Sequence, residues 1–212
     1  MIPEILGAVS GQEELPLIEK PERCPACGAM LEEVGPNLYC PNTLSCKPQL
    51  ISRMEHFVSR DAMNIEGLSG KTLERLYGEL NIADAASLYE LTEEDLVGLE
   101  GFKEKKASNI IEAINASKEP ELPSFIFALG INNVGKSTAI DLAEKFGSMD
   151  VLKNATFDDL VAIKDVGSVV AMSIIDFFSS KQVQKTLERF HELGIRPKEY
   201  KQKKASCRAK MW

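Results

Sequence analysis

From about residue 60 onward, apolar and polar positions fall into one pattern that occurs four times. The segments Ile65–Leu73, Leu99–Ala107, Ile131–Ala139 and Ile163–Ala171 share it. Each reads apolar, polar, Gly/Asn/Asp, apolar, a glycine or its substitute, three variable residues, then Ala or Leu. Each then runs into an amphipathic stretch with helical periodicity. The third positions are Gly67, Gly101, Asn133 and Asp165, spaced 34, 32 and 32 residues apart. A period near 33 also marks ankyrin and tetratricopeptide arrays, but their signature residues are absent here. What recurs is a short turn between two helices.

The residue types explain the turn. Gly, Asn and Asp tolerate a left-handed backbone, and the flanking apolar residues pin the turn onto its helices. A small fifth residue keeps side chains away from the start of the next helix. Free N–H groups there, at the positive end of the helix dipole, form an anion site suited to a DNA phosphate. This is the logic of a helix-hairpin-helix motif, which holds the backbone of duplex DNA without reading bases. The candidate contacts are Gly67, Ser69, Gly70 and Lys71 in the first copy and Gly101, Lys103 and Lys105 in the second. Asn133, Gly135 and Lys136 follow in the third, Gly167 and Ser168 in the fourth. The copies are imperfect, with Ser69 and Lys103 in place of the second glycine and Asn133 and Asp165 in place of the first. Asp165 puts a carboxylate beside a proposed phosphate site, where a turn or helix-cap role is the alternative. Any single copy would pass for an ordinary helical corner, and any one of Lys71, Lys105, Lys106 and Lys136 for a solvated surface lysine. Four copies in register point to a motif array.

Ahead of the array, Cys24, Cys27, Cys40 and Cys46 are spaced C-x2-C-x12-C-x5-C. Turn-forming Pro25, Gly28, Pro41, Asn42 and Pro48 surround them. A Cys-x-x-Cys turn brings two sulfurs onto one small ion, and a second pair closes a tetrahedron. Disulfides would need an oxidising compartment to which nothing directs the chain. A redox pair would want a βαβ setting and would leave Cys40 and Cys46 unexplained. A structural Zn2+ held by four thiolates accounts for all four, and for a segment too short to bury its own core. Cys207 stands outside the pattern and reads as a free tail thiol.

Composition adds bounds. The 212 residues are 44% apolar but only 7% aromatic, which favours helices over a β-sandwich. No apolar run approaches the ~20 residues of a membrane span, so no membrane partner is expected, and the N-terminus lacks a secretory pattern. A soluble, cytoplasmic, monomeric protein is expected. Net charge is −7, but six Lys or Arg against one Glu in the last sixteen residues leave −12 on the rest. An acidic body cannot coat nucleic acid through bulk potential, so any DNA binding must be local. The basic end reads as a disordered tail.

Gly130–Ser137 also satisfies the phosphate-loop pattern G-x-x-x-x-G-K-[ST]. Such a loop follows a strand of a parallel sheet and needs further βαβ units, whereas the residues after Ser137 hold another copy of the hairpin. Phe125–Leu129 would have to be that strand. A nucleotide hydrolase is therefore the minor alternative.

The stretches CPACG at 24–28, Cys40, Cys46 and HFVSRDAMNIEGL at 56–68 resemble the zinc finger and following segment of NAD-dependent bacterial DNA ligases. FALGINNVGKSTAIDLAEKFG at 127–147 and DVG at 165–167 resemble that family's later hairpins. The resemblance implies a mostly α fold. Residues 1–20 would be the end of an OB-fold domain, 21–50 a four-cysteine zinc ribbon, 51–196 a domain of four tandem hairpin motifs, and 197–212 the basic tail. It also implies a C-terminal ligase portion that grips duplex DNA around a nick, with hairpins one and two, and three and four, forming two units. NAD and Mg2+ would act only through a catalytic domain, because no K-x-D-G nucleotidyl-transfer motif occurs here. That catalytic portion, if separately encoded, is the expected protein partner, and this polypeptide by itself is expected not to seal DNA. A stand-alone DNA-binding protein, without sequence specificity, is the other alternative. His56 needs no ligand role, since four cysteines complete the site, and it is expected to pack or cap.

Overall fold

The computed structural model describes residues 20–43 and 45–201. The expected OB-fold remnant (apart from Lys20), Cys207 and most of the basic tail lie outside the described residues. The chain divides into two compact units, Met1–Cys46 and Lys47–Trp212.

In the first unit, strands β1 (Glu32–Val34) and β2 (Asn37–Tyr39) pair antiparallel, with Val34 opposite Asn37. Gly35 bridges them at φ +61, the conformation a two-residue hairpin requires at its first central position. This is the only named sheet among the described residues.

The second unit is helical. Its elements are α1 (Lys47–Val58), α2 (Gly70–Leu80), a 3-10 turn (Ser87–Glu90), α3 (Glu93–Val97) and α4 (Glu104–Ala116). Next come α5 (Leu122–Ala128), α6 (Lys136–Phe146), α7 (Met149–Leu152), α8 (Phe157–Val161), α9 (Ser168–Ser179) and α10 (Lys181–Glu192). The four sequence repeats are the turns entering α2, α4, α6 and α9. Phe125–Leu129, the strand a phosphate loop would need, instead lies in α5 and its C-cap. Lys136 and Ser137 therefore open a helix between two helices rather than follow a sheet.

A second, longer register runs through this unit. Thr92-x-x-Asp95 at α3 and Thr156-x-x-Asp159 at α8 are reciprocal capping boxes, which start two helices of only five residues each. Leu96 and Leu160, one turn on, are fully buried. Both pairs are offset by 64 residues, so hairpins three and four repeat hairpins one and two as a tandem.

Each tandem has its own core. One is built around Leu73, Leu76, Leu96, Ile110 and Ile114, the other around Leu142, Leu152, Leu160 and Ile174. Phe127, Leu129, Met149 and Leu187 pack against both. Helix α10 braces the first core through Phe190, stacked on Phe57 at 5.4 Å and edge-on to Tyr89 and Phe125. Its Arg189 reaches Asp84 and Glu90. Beyond α10 the start of the basic stretch lies along this unit. The Lys198 N–H donates to the Pro120 carbonyl, and the Tyr200 N–H to that of Gly147. No helix among the described residues is long and apolar enough to cross a membrane.

Candidate nucleic-acid interface and metal centre

At all four hairpins the third residue is left-handed. Gly67 (φ +89), Gly101 (φ +79), Asn133 (φ +63) and Asp165 (φ +64) adopt the conformation that Gly, Asn and Asp accept most readily. Asp165 is thus the turn residue of hairpin four, and Gly167 is the cap of the following helix. In the last three copies the fourth residue's N–H donates to the first residue's carbonyl, at 3.1, 3.1 and 3.2 Å. The fifth residues, Ser69, Lys103, Gly135 and Gly167, are the N-caps of α2, α4, α6 and α9. All four have extended backbones, and each cap carbonyl accepts from the ninth residue at 2.9 to 3.0 Å. The ninth residues, Leu73, Ala107, Ala139 and Ala171, are 0% exposed. The repeat's last small or apolar residue is therefore the bolt that seats each hairpin on its core.

The four helix starts differ chemically. At α2 the Ser69 hydroxyl already accepts from the Thr72 N–H. Glu55 also lies against Gly70, where a Cβ would fall 1.9 Å from Glu55 Oε1. At α4, α6 and α9 no side chain caps the first turn, so their first-turn amides have no side-chain competitor for an anion. Around hairpin two stand Lys103, Lys105 and Lys106, the last with its ammonium 3.9 Å from the centre of the Phe102 ring. Arg75 donates to the Glu100 carbonyl and to Glu79, which braces the same hairpin from α2. At hairpin three Lys136 is paired with Asp61 at 2.6 Å, both side chains being about three-fifths exposed. The ammonium holds the Asp61 carboxyl below its ordinary value. Hairpin four opens α9 with Ser168, Val169 and Val170, and no cation stands among them. Open amides and lysines at the helix start thus coincide at hairpins two and three, whereas the lysine of hairpin four, Lys164, precedes its turn. Glu55, Asp61 and Arg75 escape a reading of the motif because they approach it from other helices or loops.

The four cysteine sulfurs converge. They lie within 4.8 Å of one another, with Cys24 and Cys46 3.9 Å apart and Cys27 and Cys40 3.5 Å apart. A tetrahedron with Zn–S bonds of ~2.3 Å has edges of about 3.8 Å, so this set fits a zinc-sized ion held by sulfur. The separations are far from a disulfide's ~2.05 Å, and none of the four cysteines is joined in a disulfide. The first knuckle is closed by the Gly28 N–H to the Cys24 carbonyl and the Cys24 N–H to the Ala29 carbonyl, both at 2.8 Å. Gly28 makes the turn at φ +74. Cys27 and Cys40 are unequal as thiols. The Ala29 N–H draws Cys27 down to about 7, whereas desolvation, with the other sulfurs crowded around it, pushes Cys40 up to about 12. A divalent ion would remove that conflict by replacing protons. His56 has no place in this set, because its ring nitrogen bonds the Phe127 carbonyl.

Two family models match within the helical unit. A SAM-like helix-hairpin-helix tandem matches residues 59–116, and a helix-hairpin-helix motif matches residues 124–187. The chain is 48% identical over 198 residues to DNA ligase 2 of Clostridium acetobutylicum. It is 50% identical over 198 residues to the DNA ligases of Alkaliphilus oremlandii and Clostridium tetani. Each alignment covers 93% of this chain but 30% of the relative, so the chain spans about three tenths of the length of these proteins. Nearly all of this chain, with its two hairpin tandems and its four-cysteine cluster, is therefore similar to one stretch of proteins named DNA ligase.

Proposed function

We propose that this chain is the C-terminal portion of an NAD-dependent DNA ligase that grips duplex DNA around a nick through its phosphates, in support of replication and repair. The observation that carries this reading is the set of four left-handed hairpins, each ending at a helix N-terminus, arranged as two tandems. Two hairpins per tandem suit the two strands that border one minor groove. Gly67, Ser69, Gly70, Lys71, Gly101, Lys103, Lys105, Asn133, Gly135, Lys136, Gly167 and Ser168 form the contact surface, with Lys106 beside it. Backbone amides and a few lysines bind without reading bases, which suits an enzyme that must act at nicks in any sequence. Cys24, Cys27, Cys40 and Cys46 hold one structural Zn2+ within a finger at 21–50. Sulfur fills the tetrahedron, so the ion has no open position for a reacting water. NAD and Mg2+ belong to the catalytic portion of the enzyme, which also supplies the adenylated lysine. The module works as a monomer on the nucleoid, in the cytoplasm.

Fluorescence anisotropy with nicked and intact duplexes of random sequence, on protein of measured metal content, tests this. Binding should be independent of sequence and weaken between roughly 50 and 200 mM salt, with a log–log slope near −3 to −4 for about four neutralised phosphates. It should be tighter on the nicked duplex. Binding that ignores salt, or none with one zinc per chain, would overturn the reading.

A further inference from the structure

We infer that His56 is a positioning residue that fixes hairpin three relative to the first tandem, so that both tandems can engage one duplex. The inference rests on the DNA-binding reading above. His56 sits in the last turn of α1, in the first tandem's half of the unit. Its Nε2 lies 2.7 Å from the carbonyl oxygen of Phe127, on α5. A carbonyl can only accept, so Nε2 carries the hydrogen. The imidazole also stands edge-on to the Phe127 ring, with centroids 4.6 Å apart. Phe127 packs against both cores, so this bond is made where the two tandems meet.

The same carbonyl accepts from the Gly130 N–H at 3.1 Å, at the turn that leads into hairpin three. Gly130 is left-handed at φ +65, and a Cβ there would stand 3.5 Å from the imidazole Cδ2. Thus His56 caps the end of α5 and lies over the residue from which hairpin three departs. Five residues after His56, Asp61 holds Lys136 at the far side of the same hairpin. Residues of one short segment, 56–61, therefore grip hairpin three at its entry and its exit. The Asp61 grip is exposed and screened by salt, whereas the imidazole is partly shielded by Phe127. The first tandem's core anchors α5 through Phe125 and Ala128. The direction in which the chain leaves α5 is what His56 adds.

Two tethered sites gain from a long ligand only when their geometry allows simultaneous engagement. His56→Ala should leave binding of an about 10-base-pair duplex, one helical turn, within about twofold of wild type. It should reduce the extra affinity for a duplex of about two turns by about tenfold or more. His56→Gln, whose amide can still donate, should restore part of the gain. Far-UV circular dichroism checks that both variants fold. A second measurement needs no DNA. Nitroxides placed through genetically encoded ketone side chains at Glu74 on α2 and Ile140 on α6 report the separation of the two tandems by pulsed dipolar spectroscopy. The wild type should give one narrow distance distribution and His56→Ala a broad one. An unchanged distribution would overturn the inference, as would equal losses on short and long duplexes. If wild type gains nothing from a longer duplex, the reading that both tandems bind DNA fails, while the distance measurement still decides whether His56 fixes the hairpin.

Discussion

Gly67 is the hairpin position where an added methyl group should do most harm, for two separable reasons. Its φ of +89 is costly for any residue with a Cβ, about 1–2 kcal/mol. In addition, that Cβ would stand 2.7 Å from Cγ1 of Ile110, which is buried in the first tandem's core on α4. The clash falls on packed side chain rather than solvent, and overpacking of that kind costs about 1–3 kcal/mol. Gly67→Ala should therefore destabilise the helical unit by about 2–5 kcal/mol, less up to about 1 kcal/mol for the stiffer unfolded chain. Gly101 provides the control. It has nearly the same backbone (φ +79), but the nearest atom to its added Cβ is the end of Arg75 at 3.8 Å, an ordinary contact. Gly101→Ala should cost only the backbone part, about 1–2 kcal/mol before the same correction. Urea unfolding followed by far-UV circular dichroism gives both values. Ile110→Ala in the Gly67→Ala background should cost at least about 1 kcal/mol less than in wild type, because the new methyl occupies part of the space vacated. Equal losses for the two glycine variants, or additivity with Ile110→Ala, would refute the steric argument and leave only the turn conformation.

Other outcomes follow from the charges and caps. Asp61→Asn should strengthen DNA binding about two- to fivefold by freeing Lys136, with little change in melting temperature because the pair is exposed; a fall in affinity would mean that Asp61 presents the lysine rather than competes for it. The Asp61 carboxyl is held below its ordinary value, so the pair stands above the usual carboxylate range and is lost only as pH falls through the lowered value. Cys27→Ser should release the metal, read by inductively coupled plasma mass spectrometry, and acidification should release it from wild type because protons and metal compete for the thiolates. A variant that keeps one zinc per chain would contradict the four-sulfur site. Thr92→Ala should cost about 1 kcal/mol by opening one capping box. Asp95, lowered by its bonds to Thr92, should lose its part of that cap as pH drops below the usual carboxylate range, visible as a pH-dependent difference between variant and wild type in urea midpoints.

Local chemistry was legible in the sequence because it repeats. Gly, Gly, Asn and Asp at four equivalent positions announce a left-handed turn, and all four residues adopt one. The Leu or Ala four positions beyond each N-cap recurs in all four copies, and each is buried. The cysteine spacing announces convergence, and the sulfurs converge. The two Thr-x-x-Asp boxes 64 residues apart are a further signal in the sequence, and they reveal the tandem directly. The remaining features depend on residues far apart in the chain. Nothing near His56 says that its acceptor is the Phe127 carbonyl, 71 positions on. Nor does the motif at Lys136 reveal that Asp61, 75 positions earlier, will hold its charge. The bracing of the first core by Phe190 and Arg189 of α10 is equally non-local. The phosphate-loop pattern at Gly130–Ser137 shows the opposite hazard, since a helix leads into it where such a loop needs a strand.

Paired hairpins are proposed to hold phosphates on both strands across a minor groove. Single methylphosphonate substitutions, which neutralise one phosphate at a time along both strands of a nicked duplex, test it most directly. Affinity losses should be confined to a few phosphates, in two clusters, each with members on both strands facing one minor groove, and should be unchanged when the base sequence is altered. Losses spread evenly along the duplex, or none at any position, would contradict it.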